Sequence, residues 1–247
     1  MSKNLTVLVP VYNEEATLPT LMDALHAACP DAEVIYIDDG SEDRSLEILH
    51  RLARAQDVVL EGRHGGKGSA IRLGLEEAKG TYTVIQDADL EYDPKEIHLL
   101  LDAALSHGRC AVFGSRFLKQ NPNIYKGALF GNKLLTWWLD FLFKSKVTDS
   151  YTCYKLLPTN LFQGLNLRSN GFELEAEIAA KCLKTGIDVI EIPVNYRPRR
   201  IEEGKKINWK DGIKGLVMMT RIRLAPSPHT LRHDPKSENH HTHKHAK

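Results

Sequence analysis

Gln86-Asp87-Ala88-Asp89-Leu90-Glu91 sets three carboxylates within a single short stretch. The apolar run Tyr82-Thr83-Val84-Ile85 before it and Tyr92-Asp93-Pro94 after it describe a strand ending in a loop, so the acids project from the strand's carboxyl end. Open α/β sheets bind ligands along that edge. Carboxylates this close repel one another unless positive charge lies between them, and hard divalent cations such as Mg²⁺ or Mn²⁺ prefer oxygen ligands. A solvated acidic turn has the same composition, so the decision rests on what surrounds the motif.

The elements that would position these acids alternate regularly. Leu5-Thr6-Val7-Leu8-Val9-Pro10-Val11 is the continuous apolar run of a strand buried on both faces, and Pro10 marks its end. Leu18, Leu21, Met22 and Leu25 then recur with helical period over Glu14 to Ala28. Glu33 to Ile37 is a second strand, and Ser41 is the expected cap of the helix that follows it. Val58-Val59-Leu60 is a third strand, and Gly65-Gly66-Lys67-Gly68-Ser69 leads into a helix over 70–79. After the acidic loop come a helix over 94–107, a strand over 109–114, helices over 127–144 and 172–184, a strand over 188–193 and a last helix over 212–224. This order predicts an α/β three-layer sandwich with a mostly parallel central sheet.

Bulk properties narrow the class. The 247 residues are 42% hydrophobic and 26% charged, with 33 Lys and Arg against 32 acids. That suits one globular domain over 1–225 with a disordered His-rich tail over 226–247, and a balanced charge gives no reason to expect nucleic acid as a partner. Cys29, Cys110, Cys153 and Cys182 are too far apart for a zinc site or a disulfide framework, which suits a reduced, cytoplasmic protein. No apolar run reaches the roughly 18 residues that cross a bilayer. Within 197–223, however, nine Lys and Arg face three acids, which suits phosphate-bearing substrates, anionic lipid or a solvated face. The segment over 127–144 is apolar nearly all round, with Trp137 and Trp138 adjacent and Lys126, Lys133, Lys144 and Lys146 about them. Such a helix is either buried or lies in an interface.

The loops leaving the strands form an ordered series: Pro10-Val11-Tyr12-Asn13-Glu14, Asp38-Asp39-Gly40-Ser41, Gly66-Lys67-Gly68, Asp87-Ala88-Asp89, Gly114-Ser115-Arg116 and Gly171-Phe172-Glu173. That series, over residues 5 to 210, resembles the family 2 inverting glycosyltransferases of GT-A fold, in their dolichyl- or polyprenyl-phosphate mannose synthase-like branch. The resemblance implies transfer of a hexosyl unit from a nucleotide-sugar donor to a polyprenyl phosphate at the cytosolic surface of a membrane, through peripheral contact or a membrane-protein partner. Its alternative is a soluble or glycolipid hydroxyl acceptor.

By the same resemblance, Pro10, Tyr12, Glu14, Ile37 and Asp39 line the nucleoside site, and Asp87, Ala88 and Asp89 meet the donor diphosphate. Asp87, Asp89 and Glu91 would hold Mg²⁺ or Mn²⁺. Arg116, Arg199 and Lys206 would hold phosphate, with Arg197 and Lys205 as helpers, and Asp149 would be a base or organiser near the acceptor. Lys67 either meets phosphate or sits in a helix cap. The family's Arg and Ser in the helix over 127–144 are replaced here by Asn132 and Thr136. Two other classes compete. Sugar-1-phosphate nucleotidyltransferases need a Gly-rich loop where Val11-Tyr12-Asn13-Glu14 stands, and a non-enzymatic nucleotide-binding module would survive loss of Asp89.

Overall fold

A computed structural model describes residues 4–121, 126–199 and 209–226, and the side chains of these other than 126–128 and 209–211. The chain runs β1 (Leu5–Val11), α1 (Leu18–Ala28), β2 (Glu33–Asp38), α2 (Ser45–Leu52), β3 (Val58–Glu61), α3 (Lys67–Glu77) and β4 (Tyr82–Ile85). A 3₁₀ turn (Pro94–Glu96), α4 (Ile97–His107), β5 (Ala111–Ser115) and α5 (Lys126–Phe143) follow, then β6 (Lys155–Pro158), α6 (Thr159–Gly164), α7 (Leu174–Thr185), β7 (Val189–Pro193) and α8 (Trp209–Leu224).

The strands make one sheet in the order β3-β2-β1-β4-β6-β5-β7. All pairings are parallel except those of β6, which runs antiparallel to both β4 and β5. Every residue of β2 is buried, as a central parallel strand requires, whereas β3 at the edge is only partly covered. Strand pleating assigns the layers. Tyr36 points to one face, where its hydroxyl meets His26 of α1 at 2.9 Å, and Ile37 points to the other, where it lies against Gly74 of α3. Helices therefore cover both faces, which is the expected three-layer α/β sandwich.

Three sequence expectations change. Ser41 is not the cap of α2, because that helix starts at Ser45 and the Ser41 hydroxyl accepts instead from the Asn13 N–H at 3.0 Å. The first helix begins at Leu18 rather than Glu14, since residues 14–17 form a turn closed by Glu14 carbonyl bonds from Thr17 and Leu18. β6 and α6 had no counterpart in the sequence pattern, because Lys155 opens the strand and the run Lys-Leu-Leu-Pro is too short to show a period.

The helix over 126–143 is buried along one stripe and exposed along another. Leu135 and Leu139 are buried, while Phe130, Leu134, Trp137 and Phe141 are exposed. α5 thus carries two apolar stripes.

Candidate active site

The carboxyl ends of β1, β2, β3, β4, β5 and β7 lie on one edge of the sheet, and antiparallel β6 begins there. Five of the six loops singled out above leave that edge, whereas Gly171-Phe172-Glu173 joins α6 to α7 rather than following a strand. The acidic loop after β4 is bent by Leu90, which adopts a left-handed φ of 60°. A bulky residue takes that conformation only where its surroundings enforce it. The bend sends Asp87, Asp89 and Glu91 to different partners.

Asp87 meets Lys67, at 2.7 Å from Oδ1 and 3.0 Å from Oδ2. Lys67 also lies 2.9 Å from Glu175 Oε1, and Glu175 Oε2 lies 2.7 Å from Lys155, a lysine with no exposed side-chain surface. The result is an alternating row Asp87, Lys67, Glu175, Lys155, in which each buried charge has an opposite neighbour. Burial disfavours the Lys67 ammonium, but Asp87, Cys153 and Glu175 outweigh it and hold the group charged well above the ordinary lysine range.

Asp89 turns the other way. Its Oδ2 lies 3.1 Å from Arg199, whose guanidinium also reaches both oxygens of Glu14 at 2.9 to 3.3 Å. Arg199 therefore ties the loop after β1 to the loop after β4. Burial, then Asp87, then Glu91 push the Asp89 carboxyl up to about 7, with Arg199 pulling against them. One guanidinium does not neutralise this loop. Adjacent carboxylates with surplus negative charge are a donor set that suits a hard divalent cation, and in this structure Asp87 pairs with Lys67 and Asp89 with Arg199. Among the described residues no three His, Cys, Asp or Glu side chains converge as a ready-made cage.

Glu91 faces the strap that follows β7. Its Oε2 accepts from the Tyr196 hydroxyl at 2.7 Å, its Oε1 from the Arg199 N–H at 2.8 Å, and its carbonyl from the Arg197 N–H at 2.9 Å. Glu91 thus fixes the backbone that presents Arg199, while its charge still acts on Asp89 and its N–H donates to Asp89 Oδ1 at 3.1 Å. Asn121 and Glu96 hold the same strap through Tyr196 and Asn195.

Beside the ends of β1 and β3, Tyr12 stacks on His64 with ring centroids 4.3 Å apart. Asp39 accepts the Gly65 and Gly66 N–H groups at 2.9 and 2.8 Å. Asp39 thus shapes the turn after β3. Ile37 is buried against Gly74 in the core, and Ala88 is buried with its carbonyl accepting from Thr17 at 2.8 Å. Pro10, paired in register with Ile37, is the part-exposed penultimate residue of β1, before buried Val11. Gly66-Lys67-Gly68 is a packing device: the Gly68 N–H donates to the Asn170 carbonyl at 2.6 Å, and a Cβ at Gly68 would come within 2.2 Å of the Ser169 carbonyl oxygen. Lys67 itself is 10% exposed.

Arg116 and Asp149 form a buried pair. Arg116 donates to Asp149 Oδ2 from Nε at 2.7 Å and from its backbone at 3.1 Å, and to Oδ1 from its terminal nitrogen at 2.8 Å. Burial opposes the Arg116 charge, but Asp149 outweighs it and keeps the guanidinium protonated well above its ordinary range. The loop carrying Asp149 is pinned by Glu191, which accepts from the Thr148 and Asp149 N–H groups, and by Thr136, which meets Ser150 at 2.9 Å. Asp149 therefore organises Arg116. Arg116 lies over the Tyr196 ring at 5.0 Å, so the pair also supports the strap.

Lys206, Lys205 and the histidines of the tail lie outside the described residues. His64, Glu175, Lys155 and Tyr196 join the site without having been singled out in the sequence. Only Glu175 had a local signal, the alternation Phe172-Glu173-Leu174-Glu175 just beyond a loop already in the series.

The family model "Glycosyl transferase family 2" matches residues 6–157, more than half of the chain. Glycosyltransferase AglJ of Haloferax volcanii is 30% identical over 91% of this chain and 73% of its own length. An undecaprenyl-phosphate 4-deoxy-4-formamido-L-arabinose transferase of Aeromonas hydrophila is 43% identical, over 42% of this chain and 34% of its own length. The chain thus spans only about a third of that relative. Glucosyl-3-phosphoglycerate synthase of Mycobacterium tuberculosis, solved with Mn²⁺, uridine diphosphate and phosphoglyceric acid, superposes with a TM-score of 0.69 at 18% identity, covering 91% of this chain and 80% of its own. At that identity the likeness bears on the fold alone, which is GT-A. The family match and the 30% identity to AglJ make this chain a member of glycosyl transferase family 2, an enzyme that moves sugar from a nucleotide-sugar donor.

Proposed function

We propose that this enzyme is a metal-dependent inverting transferase that passes a hexosyl unit from a nucleotide-sugar to a polyprenyl phosphate. The observation that carries the reading is Arg199, which joins Glu14 at the nucleoside end to Asp89 at the diphosphate end within 3.3 Å. A donor laid along the sheet edge runs between those two residues. Tyr12 and His64 offer the base an aromatic platform, Glu14 accepts from base or ribose, and Asp87 with Asp89 holds Mg²⁺ or Mn²⁺. Bound there, the ion would supply charge neutralisation to the departing nucleoside diphosphate.

Arg199, released from Asp89, then faces phosphate oxygens. Its buried Nε has no partner among the described residues, so the guanidinium has donor capacity left over. Lys206 would add a second cation. The glycosyl carbon passes through a state of oxocarbenium character, so the chain's contribution is to hold donor and nucleophile in line and stabilise the leaving group. Arg116 and Asp149 keep the strap in place.

The acceptor assignment follows from Asp149. Both its oxygens are taken by Arg116, which leaves it unsuited to accept a proton, and an anionic phosphate acceptor needs no base. The names of relatives that act on undecaprenyl phosphate point the same way. One observation favours a hydroxyl acceptor instead: Glu173 Oε2 is buried and accepts nothing from the described residues. Two-phase extraction after incubation with radiolabelled nucleotide-sugars, Mn²⁺ and undecaprenyl phosphate decides between them. Label in the organic phase supports the phosphate acceptor, and its absence with every common donor rejects it.

A further inference from the structure

We infer that the face formed by α5 and α8 docks on an anionic lipid bilayer. The functional sense of such docking rests on the lipid-phosphate acceptor proposed above, but the surface stands on observations of its own. Phe130, Leu134, Trp137 and Phe141 recur at helical spacing along the outer stripe of α5 and are 45% to 71% exposed. On α8, Ile213, Val217 and Leu224 are 42% to 79% exposed. Between the helices lies an open groove of about 390 Å³ lined by Leu134, Trp137, Trp138, Val217, Arg221 and Leu224. Trp137, Trp138 and Phe141 stack within 6.2 Å of one another, and Trp138 donates to Thr220 at 3.1 Å, which locks the two helices into one surface. A soluble monomer seldom leaves so much contiguous apolar surface in water.

Charge selects the occupant. Lys133, Lys144, Lys146, Lys214, Arg221 and Arg223 are all exposed around this face. Among the described side chains of α5 and α8 the single acid is Asp140, and it turns inward to Ser145 and the Val147 N–H. Two copies meeting on this face would bring like charges together, whereas a bilayer with anionic headgroups meets the cations at its surface and the aromatic and aliphatic side chains just beneath. No described helix is long and apolar enough to cross a membrane, so contact along the surface is the mode this face allows.

The face is also joined to the site. Thr136 of α5 holds Ser150, the neighbour of Asp149, and Gly215 of α8 packs directly on Tyr151. Docking therefore turns the Arg116–Asp149 edge toward the bilayer, where a lipid-borne phosphate would be presented.

Sedimentation of the full chain with vesicles at pH 8, where the tail histidines are neutral, tests this. Phosphatidylcholine vesicles containing about 30 mol% phosphatidylglycerol should bind the protein, and both neutral vesicles and about 0.5 M salt should weaken binding at least tenfold. The exposed double variant W137E/F141E should bind at least tenfold more weakly while melting like the wild type, and K133E/R221E should do the same without touching an apolar residue. Wild-type-like binding by either variant, or no binding by the wild type, overturns the inference. So does a wild-type dimer that W137E/F141E makes monomeric, because a second copy then covers the face. Nucleotide-induced stabilisation should be unchanged in both variants, which separates failure of the docking surface from failure of the donor site.

Discussion

Asp89 and Asp149 are both aspartates at the ligand edge, and their surroundings give them opposite tasks. Asp149 has no exposed surface, and Arg116 occupies both its oxygens. Removing one member of such a pair leaves a buried charge without its partner, so Asp149→Ala should cost about 3–5 kcal/mol of stability in chemical denaturation. Asp89 shares its loop with two further acids and is only partly neutralised by Arg199. Asp89→Ala should therefore cost less stability than Asp149→Ala and yet lower turnover at least ~10²-fold, because leaving-group stabilisation is lost. Equal turnover in the Asp89 variant and the wild type would mean that Asp89 takes no part in leaving-group stabilisation. The motif residues were legible in the sequence because carboxylates at a strand end are a local pattern. Their partners were not, because Lys67 and Arg199 stand 20 and 110 positions from the aspartates they meet, and only the folded sheet edge brings them together.

The elements divide in the same way. Strands β1, β2 and β4 were legible because continuous β-branched runs can be buried on both faces of a parallel sheet and little else. β6 was hidden because it opens on a lysine, whose charge is neutralised only by Glu175 of α7. The start of α3 was misplaced by three residues, since its glycines mimic a phosphate loop while in fact admitting the 168–171 loop against the helix. Gly68→Ala drives a methyl group into the Ser169 carbonyl and should cost about 1–3 kcal/mol, read as a lowered denaturation midpoint.

Burial and then Arg54 hold His26 below its ordinary pKa of 6.5, although Asp57 lies 3.0 Å away. A depressed folded-state pKa makes the stability it contributes present above 6.5 and lost as pH falls through the folded value. Unfolding measured at pH values on either side of 6.5 should show the wild type losing more stability on acidification than His26→Gln. An equal loss in both would mean that His26 titrates alike in the folded and unfolded chain.

At the scale of the whole molecule, six strand ends and the start of a seventh meet along one edge of the sheet, and helices α5 and α8 form a separate apolar and basic face. The alternation of strand and helix made the sheet legible, and the order of the loops pointed to the sheet edge along which we propose the donor lies. What composition concealed is the polarity of the outer stripe on α5, because an apolar helix reads the same whether its second stripe meets protein or water. The central claim is that Asp87 and Asp89 recruit a divalent ion for a nucleotide donor while Arg199 moves off Asp89. Thermal denaturation with UDP-, GDP- and dTDP-sugars, with and without Mn²⁺, tests it most directly. At a hundred times its Kd the correct donor should add about 2.7 kcal/mol of stability, in the wild type with Mn²⁺ and not in Asp89→Asn. No stabilisation by any nucleotide, or the same stabilisation with and without Mn²⁺ in both proteins, would contradict it.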